Sequence, residues 1–285
     1  MAIKPVDMEI SLAKKPNYHL KFDTHLMPIG MRVPLKKVTI TENPKIPDKV
    51  EKIVADNDLK ATQAIHLLHD KGFDEHYLTK LLSVGNLGVK TERKLVPTRW
   101  SITATDDMIG KKLVQEIQDY AETNYEAYFD GYLGNYFLLL FFPGVWSYEL
   151  FEIFAGSGTQ QGQYTTDHED HFGRKQYADE TAGGYYAVRL AVLEKLREMK
   201  RKGSVLALRF ITDEYWASLG VWVVRSASRK AAQNRQMQFS SRDEALQYAI
   251  SFAKRRFNID LGLILRQSVL INEQRQQKRL MEFGV

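Results

Sequence analysis

The 285-residue chain contains no cysteine, which excludes disulfide bonds and thiolate metal sites. It also lacks long apolar runs, because the longest, from Tyr136 to Phe142, is too short to cross a bilayer. Residues 1–7 have none of the apolar character of a signal peptide. These absences favour a soluble, cytoplasmic protein without membrane contacts.

Proline is scarce beyond the N-terminal region, since six of the eight prolines lie before residue 48. Their spacing excludes long helices from residues 1–45. Within this region Val6, Met8, Ile10 and Leu12 alternate with polar residues, which is the period-two pattern of a β-strand. The sequence therefore predicts an extended, proline-punctuated segment over 1–45.

Aromatic side chains are plentiful, with 14 Phe and 14 Tyr, and they can supply a large core. Helices are predicted at 47–55, 60–69 and 74–83, and aromatic-rich strands at 125–129, 133–142 and 145–154. Because helices and strands are grouped in blocks, the pattern favours the α+β class. We predict a helical unit over 46–94, an α+β core domain over 95–270 with an antiparallel, aromatic-rich sheet packed against helices, and a flexible tail over 271–285.

Element boundaries within the core domain follow from local signals. Thr105, before two aspartates, is predicted to cap a helix that runs to about residue 119. The Gly-, Ser- and Gln-rich residues 155–166 predict a mobile loop, and residues 184–202 a long helix. Strands are predicted at 204–211 and 220–225, and Ser241 with Glu244 forms a capping box that opens a helix to about residue 256.

Charge is distributed unevenly along the chain. Residues 1–99 carry a net charge of +5, residues 100–180 of −10 and residues 181–285 of +10. A strongly basic third is typical of a protein that binds a polyanion. The alternative is that this third packs against the acidic middle third of the same chain. The two basic clusters of the last third are Arg197, Lys200, Arg201 and Lys202, and Arg225, Arg229, Lys230 and Arg235.

A polar segment with apolar anchors extends from residue 95 to residue 107. Trp100 can anchor it, and Arg99 is a forked donor suited to phosphate or carboxylate. The alternative is a strand-to-helix turn in which Arg99 pairs with Asp106 or Asp107. The segment is a candidate part of a ligand or DNA cleft.

Gly183 and Gly184 open a helix whose first turns are apolar on all sides, which indicates a buried helix. Arg189 is the one charged residue between Tyr185 and Leu193, so it needs a buried partner. That partner is either an internal carboxylate or an anion bound at the helix N-terminus.

Acidic residues and histidines are concentrated at 167–171, with carboxylates at 106/107, 149/152 and 179/180 elsewhere in the middle third. Together they could form a two-metal nuclease site with Mg²⁺ or Mn²⁺. No spacing matches a metal-binding motif, however, so a solvated acidic turn is the preferred interpretation of 167–171. We predict no metal and no cofactor.

The C-terminal nonapeptide places Gln277, Leu280 and Phe283 at three-residue steps, which bring them onto one face of a helical turn. Leu280 and Phe283, with Met281 beside them, form a small apolar plug that resembles the peptide by which repair proteins dock on the DNA sliding clamp of the PCNA type. A glycine replaces the usual second aromatic residue. The alternative is the frayed end of a surface helix that begins at Leu261.

Several blocks in series resemble the archaeal Nre family of DNA-repair proteins. They are Leu95–Asp107, Asp58–Thr62, Tyr132–Asn135, Gly173–Lys175, Gly183–Glu194 and Gly220–Trp222. The chain resembles the C-terminal two-thirds of family members, without their cysteine-rich N-terminal module, and differs from them over 156–170. The resemblance implies an α+β protein that repairs DNA with the clamp as partner, but it implies no particular reaction.

The leading hypothesis is a clamp-tethered DNA-repair factor that contacts DNA through its basic third. The alternatives are a metal-dependent nuclease that uses the acidic middle third, and a clamp adaptor without affinity for DNA. Catalytic residues are not assigned. The candidate clamp-binding residues are Gln277, Leu280, Met281 and Phe283. The candidate cleft residues are Arg99, Trp100, Asp106, Asp107, Arg174, Lys175, Gly183, Gly184, Tyr185, Tyr186, Arg189, Trp222 and Arg225.

Overall fold

The computed structural model describes residues 6–16, 33–216 and 219–276. The chain divides into two compact units, residues 1–98 and residues 99–285. Over the described ranges it combines helices with a largely antiparallel sheet, which confirms the predicted α+β class. None of the described helices is long and apolar enough to cross a membrane.

The first unit begins with a pair of antiparallel strands, β1 (Met8–Leu12) and β2 (Leu35–Ile40). The predicted alternation is therefore a strand. Both faces of the pair are exposed, so the apolar residues of β1 do not form a core.

Three helices follow: α1 (Asp48–Ala55), α2 (Ala61–Asp70) and α3 (Glu75–Ser83). The predicted helical unit is confirmed by the buried side chains of Ile65 and Leu68 on α2 and of Leu78 and Leu81 on α3. Arg93 fixes the end of this unit, because its guanidinium donates to the backbone carbonyls of residues 54, 56 and 88.

The second unit contains a six-stranded sheet among its described residues, in the order β10-β4-β5-β9-β6-β7. Neighbouring strands are antiparallel except β6 and β9, which are parallel. The strands are β4 (Tyr125–Tyr132), β5 (Asn135–Phe142), β6 (Ser147–Phe154), β7 (Tyr164–Glu169), β9 (Ser204–Ile211) and β10 (Met237–Phe239), while β3 (Ala121–Glu122) and β8 (Arg201–Lys202) form a separate short parallel pair.

Helices cover both faces of this sheet. They are α4 (Thr98–Ile117), α5 (Ala182–Met199), α6 (Val221–Gln233), α7 (Arg242–Phe257), α8 (Leu261–Leu265) and α9 (Val269–Gln276). On one face Leu138, Leu140 and Phe142 of β5 pack in a core with α7, α8 and α9. The alternate side chains Phe137, Leu139 and Phe141 are equally buried on the opposite face. The longest apolar run is thus a strand covered on both sides.

Helix α4 begins earlier than predicted. Thr105 does not cap it, because the helix starts at Thr98 and Thr105 lies buried in its interior. Serine and threonine locally favour non-helical backbone. Here Ser101, Thr103 and Thr105 are buried, so packing of these small side chains determines the conformation instead.

The prediction of a strand over residues 220–225 is wrong. They open helix α6. Val223, Ala227 and Ala231 are buried and recur every four residues, so they form one helical stripe against the neighbouring elements. The helical period appears only when the residues after 225 are included.

Helix α7 begins at the predicted capping box, since the Ser241 hydroxyl accepts from the backbone N–H of Glu244 at 3.2 Å. The Glu244 carboxylate accepts from the N–H and hydroxyl of Ser240 at 2.8 and 2.6 Å. The helix ends at Phe257, one residue beyond the predicted end.

Helix α9 continues to Gln276, so the first residues of the flexible tail predicted over 271–285 are helical instead. A buried carboxylate holds its beginning: Glu149 of β6 accepts from the Ser268 hydroxyl at 2.5 Å and from the N–H groups of Val269 and Leu270 at 3.1 Å each. This satisfies N–H groups that a helix start leaves without partners. The clamp-peptide residues Gln277, Leu280, Met281 and Phe283 lie outside the described residues.

We expect Glu149 to make stability depend on pH. Burial raises the pKa of its carboxyl above the ordinary 4.5, although its hydrogen bonds act in the opposite direction. A raised folded-state pKa contributes stability that is complete below the unfolded pKa and is lost as pH rises through the folded pKa. The unfolding free energy of the native chain minus that of Glu149→Gln should therefore decrease as pH rises above 4.5.

Urea denaturation of both chains across the acidic to neutral range measures this difference. Glu244→Gln is the matched control with the opposite sign. Its exposed carboxylate has a lowered pKa because of the hydrogen bonds from Ser240. The unfolding free energy of the native chain minus that of Glu244→Gln should increase as pH rises through the acidic range. A Glu149 difference that is constant with pH would contradict the assignment.

Candidate functional site

A cleft of about 270 Å³ lies in the second unit between α4, the loop after β7 and the start of α5. It brings together residues that are far apart in sequence. Its lining consists of Trp100, Thr103, Ala104, Asp107, Lys111, Glu169, Arg174, Lys175, Gln176, Tyr177 and Tyr186.

A buried ion pair forms the floor of this cleft. Arg189 of α5 is 2% exposed, and its Nε donates to Glu169 Oε1 of β7 at 2.6 Å. The indole N–H of Trp146 donates to the same oxygen at 2.7 Å. Burial by itself would lower the pKa of Arg189, but the carboxylate of Glu169 keeps that pKa above its ordinary value. The predicted burial and pairing of Arg189 are confirmed, and the partner is an internal carboxylate.

Gly110 of α4 makes room for this pair. A Cβ at this position would lie 2.5 Å from Arg189 Nη1, so any side chain would displace the guanidinium. Arg189 therefore packs against α4. Its Nη1 also lies 3.8 Å from Asp107 Oδ1, which connects the floor to the cleft wall.

Two further buried arginines hold carboxylates elsewhere in the unit. Arg225 of α6 donates to Asp106 of α4 at 2.6 Å, and Asp106 lies on a different face of α4 from the residues that line the cleft. Arg209 of β9 donates to Glu152 of β6 at 2.5 Å and also binds the Asn135 side chain. Gly184 lies against Glu152, where a Cβ would collide with the carboxylate.

The loop after β7 is shaped by Arg174. Its guanidinium pairs with Asp167 at 2.6 Å and donates to the carbonyls of His168, Gln176 and Tyr177 at 3.0–3.1 Å. Asp167 also accepts from the N–H and hydroxyl of Thr181, at the start of α5. Arg174 is therefore used structurally, and it holds Lys175 and Tyr177 in the cleft wall.

The preferred interpretation of residues 167–171 as a solvated acidic turn is wrong. Residues 164–169 form β7, and Asp167 and Glu169 are buried because each pairs with an arginine. The mobile loop was predicted to extend to residue 166, but its last residues, from Tyr164, belong to strand β7. Among the described residues there is no group of three or more side chains suited to hold a metal ion.

Aromatic side chains form one wall of the cleft. Trp100 lies 5.8 Å from Tyr177 between ring centroids, and Tyr177 stacks on Tyr186 at 5.5 Å. The Tyr186 hydroxyl accepts from the backbone N–H of Ala178 at 3.1 Å, which fixes that ring. Arg99 does not line the cleft. Its guanidinium lies 5.2 Å over the Trp100 ring, and no ion pair with Asp106 or Asp107 is found in the described part of the chain.

The cleft therefore contains six of the thirteen candidate residues: Trp100, Asp107, Arg174, Lys175 and Tyr186 line it, and Arg189 forms its floor. Tyr185 is buried beside it, while Trp222 contacts Tyr132 at a different place. Sequence reasoning missed Lys111 and Tyr177, and it considered Glu169 only as part of the acidic segment 167–171. Lys111 carried a usable signal, because it lies four residues after Asp107 and pairs with it at 2.6 Å.

Ion pairs within the chain also neutralise much of the positive charge of one of the two predicted basic clusters. Arg225 is buried against Asp106, Arg229 pairs with Glu194 at 2.8 Å, and Lys230 pairs with Asp130 at 3.1 Å. Much of the charge of that cluster is compensated within the chain. The cluster near Lys200 and Arg201 keeps its charge, because the bonds found for Arg201 and Lys202 go to backbone carbonyls.

Comparison with known proteins identifies the family. Residues 1–159 match the model described as archaeal Nre, N-terminal, and residues 169–283 match the model described as archaeal Nre, C-terminal. The chain belongs to the archaeal Nre family.

The chain is similar to three curated relatives. It is 37% identical to DNA repair protein NreB of Archaeoglobus fulgidus, over 98% of this chain and 71% of that protein. It is 40% identical to DNA repair protein NreA of the same organism, over 86% and 63% of the two chains. It is 39% identical to DNA repair protein NreA of Haloferax volcanii, over 81% and 57%. No solved structure matches the chain significantly.

We expect Arg189→Ala to lower the free energy of unfolding by about 3–5 kcal/mol, because it leaves Glu169 buried without its counter-charge. Adding Glu169→Gln to that variant should recover part of the loss, since the uncompensated charge is then removed. Chemical denaturation of the single and double variants measures both effects. Arg201→Ala, at an exposed position, is the control and should change stability by less than about 0.5 kcal/mol. An Arg189→Ala loss no larger than that of the control would contradict the structural role.

Proposed function

We propose that this protein is a DNA-repair factor that contacts DNA through cations of its C-terminal third and is tethered to the DNA sliding clamp by its C-terminal peptide. Membership of the Nre family supports the repair role, because the curated relatives are named DNA repair proteins. The fold by itself does not specify a function.

The charge that remains after internal pairing carries the proposed DNA contact. Arg189, Arg209 and Arg225 are neutralised by carboxylates of the middle third. Other cations of the last third bond only to neutral groups in the described part of the chain. They are Arg201 and Lys202 on β8, and Lys254 and Arg255 at the end of α7. Such cations keep their charge and suit phosphate oxygens.

The same pairing weighs against the nuclease alternative. Four carboxylates each form an ion pair with an arginine: Asp106, Glu152, Asp167 and Glu169. A fifth carboxylate, Glu149, accepts hydrogen bonds at the start of α9. A carboxylate that already neutralises a buried guanidinium could bind Mg²⁺ or Mn²⁺ only by leaving that guanidinium uncompensated. The adaptor alternative is distinguished from the proposal by DNA binding itself.

The clamp contact is proposed from Gln277, Leu280, Met281 and Phe283, which follow directly on α9 in the sequence. Helix α9 is attached to the body of the unit by Glu149 and by Arg242, which donates to the Gln274 carbonyl at 3.0 Å. His168 Nε2 lies 3.5 Å from Glu273 Oε2 of the same helix. The peptide therefore starts from a helix that is fixed to the sheet.

We expect DNA binding to weaken as salt increases, with little preference among sequences, because phosphate contacts release counterions. Replacing Lys254 and Arg255 by glutamine should reduce the slope of log affinity against log salt by about 0.9 for each lost phosphate contact. Fluorescence anisotropy with labelled DNA at several salt concentrations measures the slope. The matched control is Lys36→Gln with Lys37→Gln on the exposed strand β2. Absence of binding at low salt would contradict the DNA contact and favour the adaptor.

Leu280→Ala with Phe283→Ala should weaken binding to the clamp by at least about 2 kcal/mol, because apolar anchors act as hot spots in short peptides. Isothermal calorimetry of the clamp with native and substituted chains measures this loss. Thermal unfolding should be unchanged in the double variant. The control replaces Gln274 and Gln276, which precede the peptide, by alanine, and its affinity for the clamp should equal that of the native chain. Equal affinities of native and doubly substituted chains would overturn the clamp assignment.

A further inference from the structure

The aromatic wall of the cleft is only partly covered by the protein. Trp100 is 48% exposed, although it lies at the edge of a ring series that continues through Tyr177 to the buried Tyr186. Exposed aromatic rings beside cations are the usual platform for unpaired nucleic-acid bases, because every base presents a π-face. The wall thus offers a stacking surface with a rigid support behind it.

Cations lie beside this wall. Lys111 pairs with Asp107, and Arg99 lies over the Trp100 ring. Lys175 is exposed on the loop that Arg174 fixes, and no ion pair of Lys175 is found in the described part of the chain. Since Arg174 and Arg189 are engaged with carboxylates, the charge available beside the aromatic wall is mainly that of Arg99, over the Trp100 ring, and of Lys175 in the cleft lining. That charge suits one or two phosphates.

Polar acceptors also line the cleft. Asp107 and the hydroxyl of Thr103 line it together with the aromatic rings. The Watson–Crick edges of bases carry N–H donors, and such an edge is accessible only when the base is unpaired. Stacking on the wall would place a base next to these acceptors.

The size of the cleft limits what it can hold. Its volume of about 270 Å³ lies just below the range of roughly 300–1,000 Å³ for sites of drug-sized ligands. A single base with its sugar and phosphate is therefore favoured over a dinucleotide cofactor, and a stacked duplex cannot present a base to it.

We propose that this cleft binds one unpaired nucleotide of DNA, with its base against Trp100 and Tyr177 and its phosphate beside Arg99 and Lys175. This inference rests on the proposed DNA contact and deepens it, because it selects single-stranded or unpaired DNA as the ligand of this site.

The affinity for single-stranded DNA tests the assignment. Trp100→Ala should weaken binding of a short labelled single strand by about 5- to 150-fold, which corresponds to the loss of one stacked base. Trp100→Phe should retain most of the affinity, because phenylalanine still offers a ring. Duplex DNA of the same sequence should bind Trp100→Ala as it binds the native chain.

Trp222→Ala is the matched control, because Trp222 is 45% exposed but lies away from the cleft against Tyr132. Its affinity for single strands should equal that of the native chain. The single strand should also quench tryptophan fluorescence in the native chain and in Trp222→Phe, but much less in Trp100→Phe. Circular dichroism establishes that each variant is folded.

The outcomes separate the two proposals. If single strands and duplexes bind with equal, salt-dependent affinity and Trp100→Ala binds both like the native chain, the cleft assignment is overturned while the DNA contact stands. If no DNA of either kind binds at low salt, the DNA contact itself fails. A selective loss of single-strand affinity in Trp100→Ala, with Trp222→Ala unaffected, is the result that the cleft assignment requires.

Discussion

Buried arginine–carboxylate pairs are the constraint on which the second unit depends. An isolated guanidinium or carboxylate inside a protein is strongly unfavourable, so each of these groups requires its partner at hydrogen-bond distance. Arg189 joins α5 to β7, Arg209 joins β9 to β6, and Arg225 joins α6 to α4. The partners are far apart in sequence, and each pair therefore specifies how two elements meet.

The cleft follows from the first of these pairs. Because Arg189 holds Glu169 and packs against Gly110, α4 and β7 meet at a fixed distance and leave space above the ion pair. Arg174 then ties the following loop to Asp167, which places Lys175 and Tyr177 on the rim. Arg189 thus forms the floor of the cleft and Arg174 fixes the loop after β7. The groups that remain accessible to a ligand are aromatic rings and a few cations.

The pattern of hydrophobic and aromatic residues predicted much of the fold. The helices of the first unit, the central strands and the capping box of α7 are where local signals indicated them. The failures have a common cause. At residues 98–105 and 220–225 the local preference of β-branched and hydroxyl residues opposes helix, and burial against other elements overrides it. Asp167 and Glu169 looked solvated for a related reason, since their arginine partners lie elsewhere in the chain.

The sequence by itself determined the class of the fold, the family, the isolation of Arg189 in an apolar helix, and the opposite charges of the middle and last thirds. These properties depend on composition and on residues close together in the chain. Only the tertiary structure decided which carboxylate pairs with which arginine, and hence which cations remain free for a ligand. It also decided that Trp100, Asp107, Lys175 and Tyr186 share one cleft while Asp106 and Trp222 lie elsewhere. Ion pairing and cleft geometry arise from contacts between distant segments, and no local pattern specifies those contacts.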